Sequence, residues 1–307
     1  MHEQNFDRRA HASVGPRFPG NDKTRCARSL ALIASAVGVA LSIGGAHAEV
    51  PLTLDGKLTQ GGLVIARTAP GATVTLDGKP VAVDTAGAFA LGFTYDAKRE
   101  WMLVVTAANG ERLERKLDVA PRKFSVQRIN GVDQKYVEPP PEVMKRLEEE
   151  YFMVRKAREA LSAQPFWRTG FIWPAMGRIS GVYGSQRIVN GKPLRPHFGV
   201  DVAAMPGTPI RAAAAGTVTL AHGDLYFSGK TVIIDHGLGV STLYIHMQEI
   251  KVATGDRVTQ GQVIGTIGTT GRSTGPHLHW GLNLGQDYLD PATIVGPMPG
   301  TAPKAKR

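Results

Sequence analysis

From residue 166 onward the chain sustains no helical apolar period. It repeats runs of seven or eight residues instead, GTVTLAHG, KTVIIDHG, VSTLYIHM, QVIGTIG and PHLHWGLN, divided by glycine turns. Alternation at a period of two, in runs rich in Val, Ile, Thr and Tyr, suits strands that bury one face. The 36 glycines and 20 prolines supply the punctuation. A mostly antiparallel β domain over residues 165–296 is therefore expected.

Residues 49–128 carry the same texture in shorter form. ATVTLDG, KPVAVD, AFALGFTY and WMLVVTA are separated by turn pairs such as Asp77-Gly78 and Asn109-Gly110. This predicts a small β-sandwich of immunoglobulin-like type. The region has no histidine and no clustered carboxylates, so it reads as a spacer or packing domain, with binding to the wall or to a partner as the alternative. VEPPPE then marks a linker, and Pro141 opens a helix expected over residues 141–162. Val143, Leu147, Tyr151, Val154 and Leu161 recur on one face of it. The linker and helix (129–164) are expected to pack between the two β domains. The fold class is thus mainly β: sandwich, linker helix, antiparallel C-terminal domain, and a solvated basic tail over residues 297–307.

At the N-terminus, Lys23, Arg25 and Arg28 precede an apolar run over residues 30–43, which ends in AHA at Ala48. That is the order of a secretory signal peptide, here with a long lead-in. The run has 14 residues, where a membrane span needs about 20. An uncleaved anchor is the alternative. The single cysteine, Cys26, lies ahead of the run, so removal of residues 1–48 leaves no thiol. The formal charge is +10, and +7 of it lies beyond residue 48. Such a surface favours anionic partners: nucleic acid, anionic lipid or an acidic wall polymer. No basic run interleaves with aromatics, which argues against nucleic acid.

Six of the nine histidines follow residue 48, and all six fall in the C-terminal domain. His277 and His279, in HLH, project from one face of a strand. Two imidazoles there can reach one zinc ion, or can simply be two surface histidines. His197 and Asp201, four apart in RPHFGVD, also share a face if extended, and offer nitrogen and oxygen ligands. In TLYIHM, strict alternation groups His246 with Thr242 and Tyr244, and Leu243 with Ile245. The first, mixed set is expected to face the site. His222 and His236 complete no ligand set and read as structural. Gly268, Gly271 and Gly275 are expected to make tight turns ahead of Pro276. HExxH is absent, which excludes a direct match to the helix-borne zinc arrangement.

In sequence order the motifs are H-x-x-x-D, a strand ending Tyr-x-His, and Gly-Pro-His-x-His. Together they resemble the lysostaphin/LytM-type zinc endopeptidases, a family of murein hydrolases. The likeness runs from about Val182 to Pro291 and includes YGSQRIVNGKPLRPHFGVD and GDRVTQGQVIGTIGTTGRSTGPHLHW. It implies one zinc ion held by His197, Asp201 and His279, with His246 and His277 in catalysis. Arg187, Asn190 and Arg272 are candidate substrate contacts, arginine being suited to a peptide carboxylate. The resemblance implies hydrolysis of peptide cross-links in peptidoglycan, at a D-alanine–diamino acid bond in a diderm wall. The expected location is the periplasm, with secretion or anchoring as alternatives. A membrane- or wall-associated regulator is a possible partner. The competing reading is a non-enzymatic activator of other murein hydrolases, although none of the five residues is lost. GDRVTQGQVIG also suits a lipoyl-type hairpin, but lacks the exposed lysine such a hairpin needs.

Overall fold

The computed structural model describes residues 50–159 and 162–299. The expected leader over residues 1–48 and all but the start of the basic tail lie outside them. Among the described residues no helix is long and apolar enough to cross a membrane.

The alternating runs that follow residue 50 become seven strands: β1 (Leu52–Gly56), β2 (Leu63–Thr68), β3 (Thr73–Leu76), β4 (Lys79–Val81), β5 (Ala88–Gly92), β6 (Glu100–Thr106) and β7 (Arg112–Asp118). They form two sheets, in the orders β1-β2-β5 and β4-β3-β6-β7. Val64, Phe89, Leu91, Leu103, Val105 and Leu117 are buried between the sheets. Asp77 and Gly78 both take positive φ, which is what a two-residue hairpin between β3 and β4 requires.

Beyond the sandwich come β8 (Val126–Ile129), helix α1 (Met144–Arg158), β9 (Arg178–Gly181), β10 (Gln186–Val189), β11 (Lys192–Pro193), β12 (Val200–Ala203), β13 (Pro209–Arg211), β14 (Gly216–Leu225), β15 (Gly229–Gly237), β16 (Val240–Ile250), β17 (Arg257–Val258), β18 (Val263–Ile267), β19 (His277–Leu284) and β20 (Asp287–Leu289). The main sheet runs β17-β14-β15-β16-β19-β12-β9, with β13, β18 and β20 attached to it. Its inner face buries Val202, Ile210, Val232, Ile234, Tyr244, Leu278 and Trp280. Strand β8 crosses the boundary expected at residue 128. It pairs in parallel with β10, register Val126↔Gln186 to Ile129↔Val189, and so belongs with the C-terminal sheets.

Helix α1 is shorter than expected and lies elsewhere. It starts at Met144, after a single 3-10 turn at Pro141–Val143, and stops at Arg158. It does not separate the two β regions. Val154 and Ala157 pack on Leu220, Leu225 and Ile233 of β14 and β15. The reason is that the sandwich already meets the C-terminal sheet directly. Leu63, Ala88 and Ala90 share a core with Leu238, Val240, Leu282 and Leu289. Arg122 spans the same junction, with Nη1 2.8 Å from Asp290 Oδ2.

Candidate metal centre

Two strand pairings bring the candidate residues together. Antiparallel β12 and β19 set Asp201 opposite His279 and Ala203 opposite His277, so the carboxylate and both imidazoles share one face. Leu278 and Trp280 take the opposite face and are fully buried in the core. His197 lies in the loop before β12. Its Nδ1 is 3.1 Å from the Val182 carbonyl, which makes Nδ1–H the donor and leaves the Nε2 lone pair facing inward. From there Nε2 lies 2.9 Å from Asp201 Oδ1 and 2.8 Å from His279 Nδ1. His279 Nδ1 closes the triangle, 2.8 Å from Asp201 Oδ1.

That triangle fits a cation. Its corners are a carboxylate oxygen, an imidazole lone pair and one further ring nitrogen, and a single hydrogen, on His279 Nδ1, can lie among them. All three residues are buried and their ligand atoms lie within 4.8 Å of one another. Converging lone pairs repel unless a positive charge sits between them. A divalent ion with bonds of about 2.0–2.1 Å meets that need and leaves a fourth position free. Two glycines make the room. A Cβ on Gly199 would lie 2.5 Å from His279 Cε1 and 2.6 Å from Nε2, and one on Gly181 would strike Asp201 Oδ2. Arg187 Nη2 donates to Asp201 Oδ2 at 2.5 Å and so turns Oδ1 toward the two histidines. Burial works to raise the Asp201 carboxyl, but the contacts with His197 and His279 prevail and hold it well below the usual carboxylate range. Burial brings His279 down to about 4 despite the adjacent carboxylate.

His246 reaches the site by a route that alternation does not predict. Tyr244 pairs with Trp280 and Ile245 with His279, so strict alternation would turn His246 toward the core beside Tyr244. Thr242 and Tyr244 are in fact fully buried, whereas Leu243 and Ile245 face the site. At His246 the backbone takes φ 62°, and the β15–β16 register shifts between Val232 and Lys230. This bulge swings the ring onto the metal face, where its centroid lies 4.8 Å from His277 and 6.4 Å from His279. Left-handed backbone in a non-glycine residue costs about 1–3 kcal/mol and persists where the surroundings hold it. Here Ser228 accepts from His246 N–H at 2.9 Å and Gly268 N–H donates to its carbonyl at 3.1 Å.

Both remaining histidines present the same atom to the site. His246 Nδ1 is 2.8 Å from the Thr270 carbonyl, and His277 Nδ1 is 2.8 Å from the Gly275 carbonyl. Each carbonyl holds Nδ1 as the donor and leaves Nε2 free. His277 Nε2 lies 3.9 Å from Asp201 Oδ1. Burial, then repulsion from His277 and His279, brings His246 down to about 3, so it is neutral at ordinary pH. The carbonyls of Val182, Thr270 and Gly275 carry no signal in the sequence, because any residue supplies a carbonyl.

Of the three candidate substrate contacts, Arg187 is engaged with Asp201. Asn190 is not beside the histidines: its amide donates to the Val132 carbonyl at 2.7 Å and accepts from Val132 N–H at 3.3 Å. Arg272 is close to the site and free of any carboxylate among the described residues. Its guanidinium lies over Phe227, 5.0 Å from the ring centroid. Burial, with Arg187 and Arg195 nearby, lowers it to about 10. Of Gly268, Gly271 and Gly275, only Gly271 takes positive φ; Gly268 is needed because a Cβ would lie 2.5 Å from Gln248 N, and Gly275 has open space around it. His236 and His222 stay apart from the centre. His236 is fully buried, 2.7 Å from both the Ala215 carbonyl and Thr242 Oγ1, and His222 Nδ1 accepts from Asp224 N–H.

The metal face opens into two cavities. One, of ≈470 Å³, runs toward α1 and is lined by Leu147, Tyr151, Val154, Leu243 and Ile245. The other, of ≈490 Å³, runs past β8 and the loop Ser273–Pro276. Arg187, His246 and Arg272 line both.

Comparison with known proteins agrees with this geometry. Residues 195–291 match the profile of peptidase family M23. The chain is 41% identical over 122 residues to the DD-carboxypeptidase/endopeptidase Mpg of Neisseria meningitidis, and 41% identical over 122 residues to the peptidoglycan DD-endopeptidase ShyC of Vibrio cholerae. These stretches cover 40% and 39% of this chain, and only 28% of the length of each relative. A crystal structure from Pseudomonas aeruginosa assigned to peptidase M23 superposes with a TM-score of 0.61 at 32% identity, over 78% of this chain and 96% of that one. Likeness over nearly the whole of a solved relative, together with the profile match across His197, Asp201, His246, His277 and His279, means that this chain belongs to peptidase family M23.

Proposed function

We propose that the protein is a zinc-dependent endopeptidase that hydrolyses peptide cross-links of peptidoglycan, at a D-alanine–diamino acid bond, after export to the periplasm. One observation carries the reading: three buried ligands converge beside two further imidazoles whose Nε2 atoms are free, where two cavities meet. A regulator without activity would have no use for this tautomer control. The names of the Neisseria and Vibrio relatives support a wall peptide as substrate. The apolar run with its basic flank supports export.

Zinc bound there would polarise the scissile carbonyl and lower the pKa of water toward about 7. The protein's own contribution is proton handling and geometry. With Nδ1–H given to a backbone carbonyl, each of His246 and His277 enters the reaction as a proton acceptor at Nε2. The one that takes the proton of the attacking water becomes an N–H donor. It can then deliver that proton to the leaving amine, so the cycle closes without outside acid. Arg187 keeps the Asp201 carboxylate oriented. Cavities on both sides leave space for an extended peptide to cross the centre.

Digestion of purified sacculi tests this. Muropeptides should be released by the wild type, release should stop with chelator and return with zinc, and H277A should release about 100-fold less or lower still. Equal release by wild type and H277A would defeat the proposal.

A further inference from the structure

The cavity on the α1 side holds more positive charge than its surroundings neutralise. Arg158, Arg187, Arg195 and Arg272 all line it. Only Arg187 has a carboxylate partner among the described residues, and that is Asp201. The one acid lining the cavity, Glu150, is taken by Arg146 at 2.7 Å and by the backbone N–H of Tyr226 at 2.8 Å. Arg158 is the sharpest case. It is 5% exposed, and its Nε has no hydrogen-bond partner. Its guanidinium lies 4.7 Å from the ring centroid of Tyr288, and that of Arg195 lies 5.5 Å from the same ring. Burial works to raise the Tyr288 phenol, yet the two guanidiniums draw it below its ordinary value. A charge this deep is costly unless an anion offsets it.

Building on the endopeptidase reading, we propose that Arg158 and Arg195, carried by the end of α1 and by the loop before His197, form a specificity site for a free carboxylate on the peptide being cut. The guanidinium fork suits a carboxylate in two-point contact. A cavity of ≈470 Å³ takes a residue or two of peptide rather than a folded partner. Tyr288 sets the spacing of the pair from below, and the apolar side chains of Leu147, Val154, Leu243 and Ile245 keep water away. The helix that the sequence suggests as a spacer thereby becomes one wall of the substrate site.

The test uses two stem-peptide dimers that differ only in the diamino-acid carboxylate next to the scissile bond, free in one and amidated in the other. For the wild-type holoenzyme, amidation should lower kcat/KM by about 10- to 100-fold. In R158Q and R195Q that ratio should fall toward one, and R158K should recover part of it. Two variants at separate points of the chain guard against a folding defect in either, which thermal melting would reveal. Titration of both peptides into metal-free protein gives a second readout: the free acid should bind the wild type more tightly and R158Q without preference. A wild type that cuts or binds both peptides equally overturns the inference, as do variants that lose both substrates in proportion. If neither dimer is cut but the metal-free protein still prefers the free acid, the endopeptidase reading fails and the carboxylate site stands.

Discussion

At the scale of single residues, the centre depends on hydrogen bonds that fix which nitrogen carries a proton. The Val182, Thr270 and Gly275 carbonyls set this for His197, His246 and His277. Arg187 does the matching task for Asp201. R187Q should therefore keep the fold but lower metal affinity by about 10- to 100-fold, the usual cost of losing an outer partner of a ligand. Competition with a chromogenic chelator measures it, and unchanged affinity would mean that Arg187 does not orient the acid. His236 supplies a pH signature away from the metal. Burial lowers it to about 4, while in the unfolded chain it titrates near 6.5. Above pH 6.5 both states are neutral and the group adds no pH dependence. Between 6.5 and 4 only the unfolded state takes the proton, so stability falls with falling pH, by about 3 kcal/mol in all. Urea denaturation should show this slope in the wild type and a shallower one in H236N over the same window.

At the scale of elements, the bulge in β16 and the loop after β18 act as one device. Thr270 Oγ1 accepts from Lys230 N–H and donates to the Met247 carbonyl, both at 2.9 Å, so the loop is tied to β15 and β16 on either side of His246. Gly271, at φ 71°, lies so flat on the Phe227–Gly229 turn that a Cβ would come 2.6 Å from the Phe227 carbonyl oxygen. G271A should push the Thr270 carbonyl off His246. Since small misplacements of a catalytic group can cost 100-fold, kcat should drop by about 10- to 100-fold while metal content is retained. A fall in metal content by itself, with kcat per bound ion unchanged, would contradict this. Helix α1 shows how an apolar stripe can mislead: Leu147, Tyr151 and Val154 do share a face, but Tyr151 stays 59% exposed and the stripe lines a cavity.

At the scale of the whole molecule, the sandwich and the C-terminal sheet are joined by a common core. Leu289 and Leu282 are fully buried among residues from both, and Asp290 N–H donates to the Gly61 carbonyl at 2.7 Å. Tyr95 stacks on Phe124 at 4.3 Å, and Phe198 on Tyr288 at 5.0 Å, so aromatic packing continues from the junction to the substrate cavity. Calorimetry should therefore show one cooperative transition for both regions, and L289A should lower it as a whole by about 2–5 kcal/mol of stability. Two transitions, with only one of them shifted, would show that the regions are energetically separate.

The sequence by itself determined the strand texture, the turn chemistry at Asp77-Gly78 and the five polar side chains of the centre. These depend on local conformational preference and on side chains that few other roles require together. Even-numbered spacing sufficed to put His277 and His279 on one face. Only the tertiary structure decided that His246 leaves its alternation through a bulge, that Asn190 serves the linker, that β8 joins the C-terminal sheets, and that α1 walls a cavity. Each of those depends on which distant segment supplies a hydrogen bond or a buried surface. A backbone carbonyl, a shared core or an unneutralised guanidinium is defined by its neighbours in space, and neighbours in space are not written in residue order.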